Sequence, residues 1–185
     1  ARQFFTPRNK ELARSEVGIF MTKEDPYGVG AISSGKGDKG GKSYGTFQMP
    51  SNPFEAGEKS KVQLFVEKGL PSQYQKYFKD SKGQFYKAAS PEFDAAWQSV
   101  GRFDNKGFGE AQQSYIYKGD KKNIGLNKYF TGFKKDTGQD IDSFSDKSRN
   151  ILEGGINQLG GLHAGHVRRA AAERDKALKN NQPFT

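Results

Sequence analysis

An α+β fold, predominantly helical with a small β-hairpin element, is what the sequence predicts, and three observations predict it. Helical periodicity recurs in short segments from residue 9 almost to the C-terminus. A Gly-rich insert at 28–45 interrupts it, and the apolar side chains are chiefly aromatic. Leu, Ile, Val and Phe make up about a fifth of the 185 residues, a share that with a net charge of +9 borders on the composition of disordered chains. Fifteen Phe, eight Tyr and Trp97 offset the shortage of aliphatic side chains, because each ring can bury on the order of 150–250 Å². A core built on rings is attainable, and the length suits one domain.

The elements follow in order. Residues 1–8, basic and aromatic and ending near Pro7, read as an arm. A helix is expected from Asn9, a capping residue type, to Glu24, with Leu12, Glu16, Phe20 and Glu24 on one stripe. Pro26 disfavours helical geometry at Asp25 and stops it. Residues 28–45 hold seven of the 23 Gly and read as a loop or short hairpins, with Tyr44–Met49 a brief strand-like run. Short helices are then expected at Lys59–Lys68, Gln73–Phe78, from the Ser90-Pro91 start through Phe93, Trp97 and Val100, at Phe108–Ile116 and at Leu126–Phe133. Ser145 to Leu159 and Val167 to Leu178 complete the array, and 180–185 is a tail.

Several chemistries are set aside by composition and spacing. The absence of Cys excludes disulfides, thiol catalysis and Cys-based metal sites. No apolar run is long enough for a membrane span. Gly35–Ser43 approaches a phosphate-binding loop, but counting back from Gly41-Lys42-Ser43 puts Lys36 where the first glycine belongs, and no helix follows. His163 and His166 lack a third ligand nearby, so neither a metal nor a cofactor is expected. The opening Ala1 fits a processed product or an excised part of something longer.

What remains is an apolar helix ending in Glu24, a Gly-rich segment, and SYGTFQ. A general acid for a glycosidic oxygen must stay protonated near neutral pH, and a carboxyl set among Phe20, Met21 and Tyr27 at the negative end of a helix has suitable surroundings. On helix position alone, a solvated surface glutamate is the alternative. Glu11 and Glu16, earlier on the helix, lie away from the Gly-rich loop.

Ala31–Met49, AISSGKGDKGGKSYGTFQM, resembles the signature of phage-encoded and phage-tail-like peptidoglycan hydrolases of the lysozyme-like superfamily, SSG-x-GD-x-GG-x-SYG-x-F/Y-Q preceded by a catalytic Glu. Similarity continues at Phe93–Trp97 and Phe108–Ile116, although Glu24-Asp25-Pro26-Tyr27 stands where such proteins usually carry Glu-Ser-Gly-Gly. The resemblance implies a single lysozyme-like catalytic domain over 9–179, with the hairpin lobe flanking a cleft. Its activity would be cleavage of the β-1,4 glycan strand of peptidoglycan, with Glu24 as general acid. Asp38 is then either a second carboxylate or a turn-forming residue. Ser43, Tyr44, Thr46, Gln48, Gln112 and Tyr115 are the candidate substrate contacts. Lytic transglycosylase or chitin-type cleavage is the related alternative. A basic nucleic-acid-binding or structural virion protein on an inactive scaffold is the different-class one. The expected partners are peptidoglycan and other virion or tail proteins, with no specific nucleic acid. The expected location is the phage particle, or the periplasm and cell wall after release. The positive charge, Lys36, Lys39, Lys42, Lys118, Lys121, Lys122, Lys134 and Lys135 among it, would draw the chain to anionic surfaces.

Overall fold

The computed structural model describes residues 4–120 and 125–138. The expected helical segments beyond residue 138, His163, His166, Lys121, Lys122 and the 180–185 tail lie outside the described residues. The chain divides into two compact units, Ala1–Ile116 and Tyr117–Thr185.

The first unit begins with helix α1, Pro7–Val17. It starts two residues before the expected cap, because Thr6 Oγ1 accepts the N–H of Asn9 at 3.2 Å and Pro7 occupies the first turn, where its missing N–H costs nothing. Asn9 is instead a buried helical residue, donating its amide to Phe4 O at 2.7 Å and Gln113 Oε1 at 2.6 Å. The expected arm is also packed at its inner end: Phe4 is buried, its ring 5.5 Å from Tyr27 and 6.3 Å from Phe47. Helix α1 ends seven residues earlier than expected. Gly18–Phe20 form a tighter turn, Ile19 is 90% exposed, and Ala13 and Val17 pack on Ala31 with Met21 and Tyr27 beside them.

Three two-residue strands form an antiparallel sheet in sequence order: β1 Ile32–Ser33, β2 Ser43–Tyr44 and β3 Met49–Pro50. Ile32 faces Tyr44, and Tyr44 in turn faces Met49. The Gly-rich stretch is the β1–β2 connection. At its neck Gly35 has φ +67°, and a Cβ there would lie 2.2 Å from the Gly41 backbone, so glycine is required for the two sides to close.

Short helices follow. Helix α2, Lys61–Leu64, is capped by Ser60 Oγ and widens into a turn at Phe65–Gly69. Helix α3, Ser72–Gln75, continues as a tight turn over Lys76–Phe78. Helix α4, Pro91–Phe103, starts as the sequence indicates, with Ser90 Oγ accepting the Phe93 N–H at 3.2 Å. Helix α5 is Asn105–Lys118. Trp97 on α4 is fully buried at the centre of the core. Phe108 lies 4.6 Å from it, Tyr44 5.2 Å, Phe65 5.8 Å and Phe93 6.2 Å, ring centre to ring centre. In the second unit, helix α6, Leu126–Thr137, buries Leu126 and Phe130, and the Phe130 ring lies 6.1 Å from Tyr117.

Candidate functional site

The loop from Thr22 to Ala31 is shaped by the carboxylate next to Glu24. Asp25 and Thr22 exchange backbone hydrogen bonds at 3.2 Å in both directions. The Asp25 carboxylate then accepts the N–H groups of Val29 (2.9 Å) and Gly30 (2.8 Å), and the Asn105 side-chain amide at 3.0 Å. One side chain therefore folds the loop back on itself and ties it to the start of α5. Glu24 is exposed and lies beyond the helical turns, so neither the helix end nor the apolar surroundings expected of it are present. Asp25→Ala is expected to lower stability by about 2–3 kcal/mol, since three donors lose a charged acceptor. A fall in melting temperature of about 5–10 °C in a thermal scan would show it; a shift under 1 °C would refute this role.

The polar residues after the Gly-rich loop serve the interior. Gln112 is fully buried; its Nε2 donates to Val29 O at 3.1 Å, and its Oε1 accepts the Thr46 N–H at 3.3 Å. The Trp97 indole N–H reaches the same Val29 carbonyl at 3.1 Å, and Thr46 Oγ1 donates to Tyr27 O at 2.6 Å. Both lone pairs of one carbonyl are thus used to join α4, α5, the Asp25 loop and the 45–48 turn. Gln48 holds that turn from inside: at φ +49° it is left-handed, and its Nε2 donates to Gly45 O at 2.9 Å. Ser43 is buried in β2 with its N–H on Ser33 Oγ, and Tyr115 is buried against Phe65. Asp38 is exposed, its carboxylate accepting the Gly40 N–H at 2.8 Å as a turn residue does. Tyr44, Thr46, Gln112 and Tyr115 are consequently packed where an external ligand has no access. The structure brings Thr46, Gln48 and Gln112 together with Trp97, and leaves Glu24 and Asp38 outside that group.

Tyr44 makes the second polar cluster. Its hydroxyl donates to Asp94 Oδ1 and accepts the Ala89 N–H at 3.1 Å, while Lys42 Nζ meets Asp94 Oδ2 at 2.6 Å. Burial, and secondly the bond to Asp94, push the Tyr44 phenol well above its ordinary value near 10. In the unfolded chain this phenol releases its proton near pH 10, whereas in the fold it keeps it. The unfolded state then binds fewer protons, so the contribution is intact below pH 10 and falls away as pH rises above it. Urea unfolding is expected to show declining stability from about pH 10 upward, with a shallower decline in Tyr44→Phe. An identical slope in the variant would contradict the assignment.

A cleft of about 590 Å³ opens elsewhere, between the 51–60 loop and the 83–88 segment, and none of the sequence-predicted site residues lines it. Among the described residues no group of three or more His, Asp or Glu is placed to hold a metal ion, and no helix is long and apolar enough to cross a membrane.

The family described as the type VI secretion system spike protein VgrG3-like, C-terminal region matches residues 20–124. The chain belongs to this family. It is also similar to the type VI secretion system spike protein VgrG3 of Vibrio cholerae serotype O1, with 36% identity over 93 residues. That similarity covers 48% of this chain and 7% of the relative's length.

Membership of a spike family corrects the reading of Ala31–Met49 as the mark of a phage-encoded or phage-tail-like peptidoglycan hydrolase. The same stretch lies inside the spike-family match. The glycosidase, transglycosylase and chitin-type activities, the enzyme class and the peptidoglycan substrate fall with that reading. The geometry agrees, since Glu24 lacks the apolar setting an acid was to have and the proposed sugar contacts are largely interior. Sequence reasoning missed Asp25, Asn105 and Asp94. Asp25-Pro26-Tyr27-Gly28 carries a turn composition that could have flagged the first; the other two depend on contacts across 80 and 50 residues.

Proposed function

We propose that the chain is a folded structural module of a type VI secretion spike, positioned with the spike and assembled with other tail-like components of the apparatus. The spike-family match over residues 20–124 carries this reading, because it takes in the whole sheet and helices α2 to α5. A ring-packed core crossed by the Val29 hydrogen bonds supports it, as a rigid domain suits a part that must survive assembly and delivery. The net charge of +9 favours acidic partner surfaces. For the fold we propose the lysozyme-like arrangement, supported by the small antiparallel sheet that follows α1 in the chain and precedes the run of short helices.

Affinity purification of the tagged chain from cells that assemble the apparatus, followed by mass spectrometry, tests the function. Spike and tail-like secretion proteins are expected to co-purify. Their absence would overturn the reading, as would clearing of a peptidoglycan suspension that Glu24→Gln abolishes.

A further inference from the structure

The 590 Å³ cleft has an unusual wall. Residues 84–86 pair with 78–80 as a short antiparallel ladder: Asp80 N–H donates to Gln84 O at 2.8 Å and Tyr86 N–H to Phe78 O at 2.7 Å, with Lys79 and Phe85 directly opposite. This is the pattern in which the two opposed residues turn their own N–H and C=O away from each other. The Phe85 N–H and C=O therefore face outward, and among the described residues they take no hydrogen bond. On the inner side the segment is fixed further by Gln63, whose Oε1 accepts the Ala88 N–H at 2.6 Å and whose Nε2 donates to Tyr86 O at 3.1 Å. The result is a short extended edge held from one side, with the N–H and C=O of Phe85 open on the other and the Lys87 carbonyl already accepting the Ser90 N–H at 3.1 Å; Phe85, Lys87 and Ala88 are among the residues lining the cleft.

Open backbone edges are templates for another extended chain. Lys87 on this edge is exposed and has no ion pair among the described residues, whereas Lys59, across the lining, is engaged with Glu67 at 2.6 Å. Glu58 lines the cleft as well. The cation free to meet an incoming side chain is thus the one beside the open N–H and C=O of Phe85. The volume lies within the range of ordinary ligand sites, about 300–1,000 Å³, and the chain as a whole is strongly cationic.

We propose that this cleft is a peptide-binding site, in which an extended, carboxylate-bearing segment of a partner protein pairs its backbone with the open N–H and C=O of Phe85 and places a carboxylate on Lys87. The site is independent of the spike assignment, since it rests only on the ladder, the cleft and the charge beside it.

The test uses the whole chain, isotope-labelled, and a capped hexapeptide of alternating Thr and Glu followed by amide chemical shifts. Saturable shifts at Phe85 and Lys87, with neighbours in 51–60 and 83–88, are expected. Lys87→Glu is expected to weaken binding about tenfold, as loss of a charge-assisted hydrogen bond does, while its spectrum elsewhere reports an intact fold. Methylating alternate peptide nitrogens is expected to abolish binding by removing the strand's donors. No shift in these segments up to millimolar peptide would overturn the proposal. Equal binding of the N-methylated peptide, or of one with Lys in place of Glu, would also overturn it.

Discussion

Trp97→Ala is expected to lower the stability of the chain by about 3–5 kcal/mol, the range for truncating a buried aromatic. That is a large part of the roughly 5–15 kcal/mol by which domains of this size are stable. Trp97 is fully buried and meets rings from β2, from the turn after α2, from α3's extension, from α4 and from α5: Tyr44, Phe65, Phe78, Phe93 and Phe108. No single neighbour can close the space its removal leaves, because each is itself pinned by others. The indole N–H is lost as well, although Gln112 still donates to Val29 O. Trp97→Phe, which keeps a ring and removes the N–H, should fall between wild type and alanine. Urea unfolding followed by far-ultraviolet circular dichroism reads this directly. A Trp97→Ala stability within about 1 kcal/mol of wild type would show that the core is not organised around this ring.

Gly45→Ala is expected to have an effect of similar size, for two reasons that add. Gly45 has φ +75°, a conformation that costs a side-chain-bearing residue about 1–2 kcal/mol. A Cβ there would lie 2.2 Å from Gln112 Oε1 and 2.9 Å from Trp97 Cζ2. Both side chains are fully buried, so relief means moving the centre of the fold, an overpacking penalty of about 1–3 kcal/mol. The glycine sits where the β2–β3 turn passes over the Val29 hydrogen bonds. Gly45→Ala combined with Gln112→Ala should cost less than the sum of the two, because removing the amide removes the closest clash. Strict additivity in that double-mutant cycle would contradict the close approach.

Most of the helices were legible because their signals are local. Ser90-Pro91 followed by Phe93, Trp97 and Val100 states both the start and the buried face of α4, and the structure has both. At α1 the same kind of reasoning placed the helix too far along. Asn9 is a good cap by type, but Thr6 and Pro7 precede it, and Gly18 ends the regular turns well before Pro26. The periodic stripe through Phe20 and Glu24 was coincidence: Phe20 is 38% exposed. The arm was misjudged because the burial of Phe4 depends on Tyr27 and Phe47, residues no local pattern connects to it.

The candidate site was legible as a place and misread as a chemistry. The stretch from Ser33 to Gln48 does converge on α4 and α5, yet Ser43 and Thr46 within it, like Gln112 on α5, are buried, while Asp38 is exposed. Val29 O collects donors from residues 68 and 83 positions later, a convergence that neither spacing nor residue type announces. A buried glutamine or threonine satisfying backbone groups has the same letter as one that grips a ligand, and only the fold distinguishes them. The carboxylate that matters to the loop proved to be Asp25, which presented itself in the sequence only as a departure from the motif.

The claim that this chain is a module of a secretion spike is tested most directly by cross-linking mass spectrometry in intact cells that assemble the apparatus. A lysine-reactive reagent can report through exposed side chains such as Lys23, Lys36, Lys39 and Lys87. Cross-links from these lysines to spike and tail-like components are the result expected. Cross-links confined to proteins outside the apparatus, in cells where the spike is assembled, would contradict it.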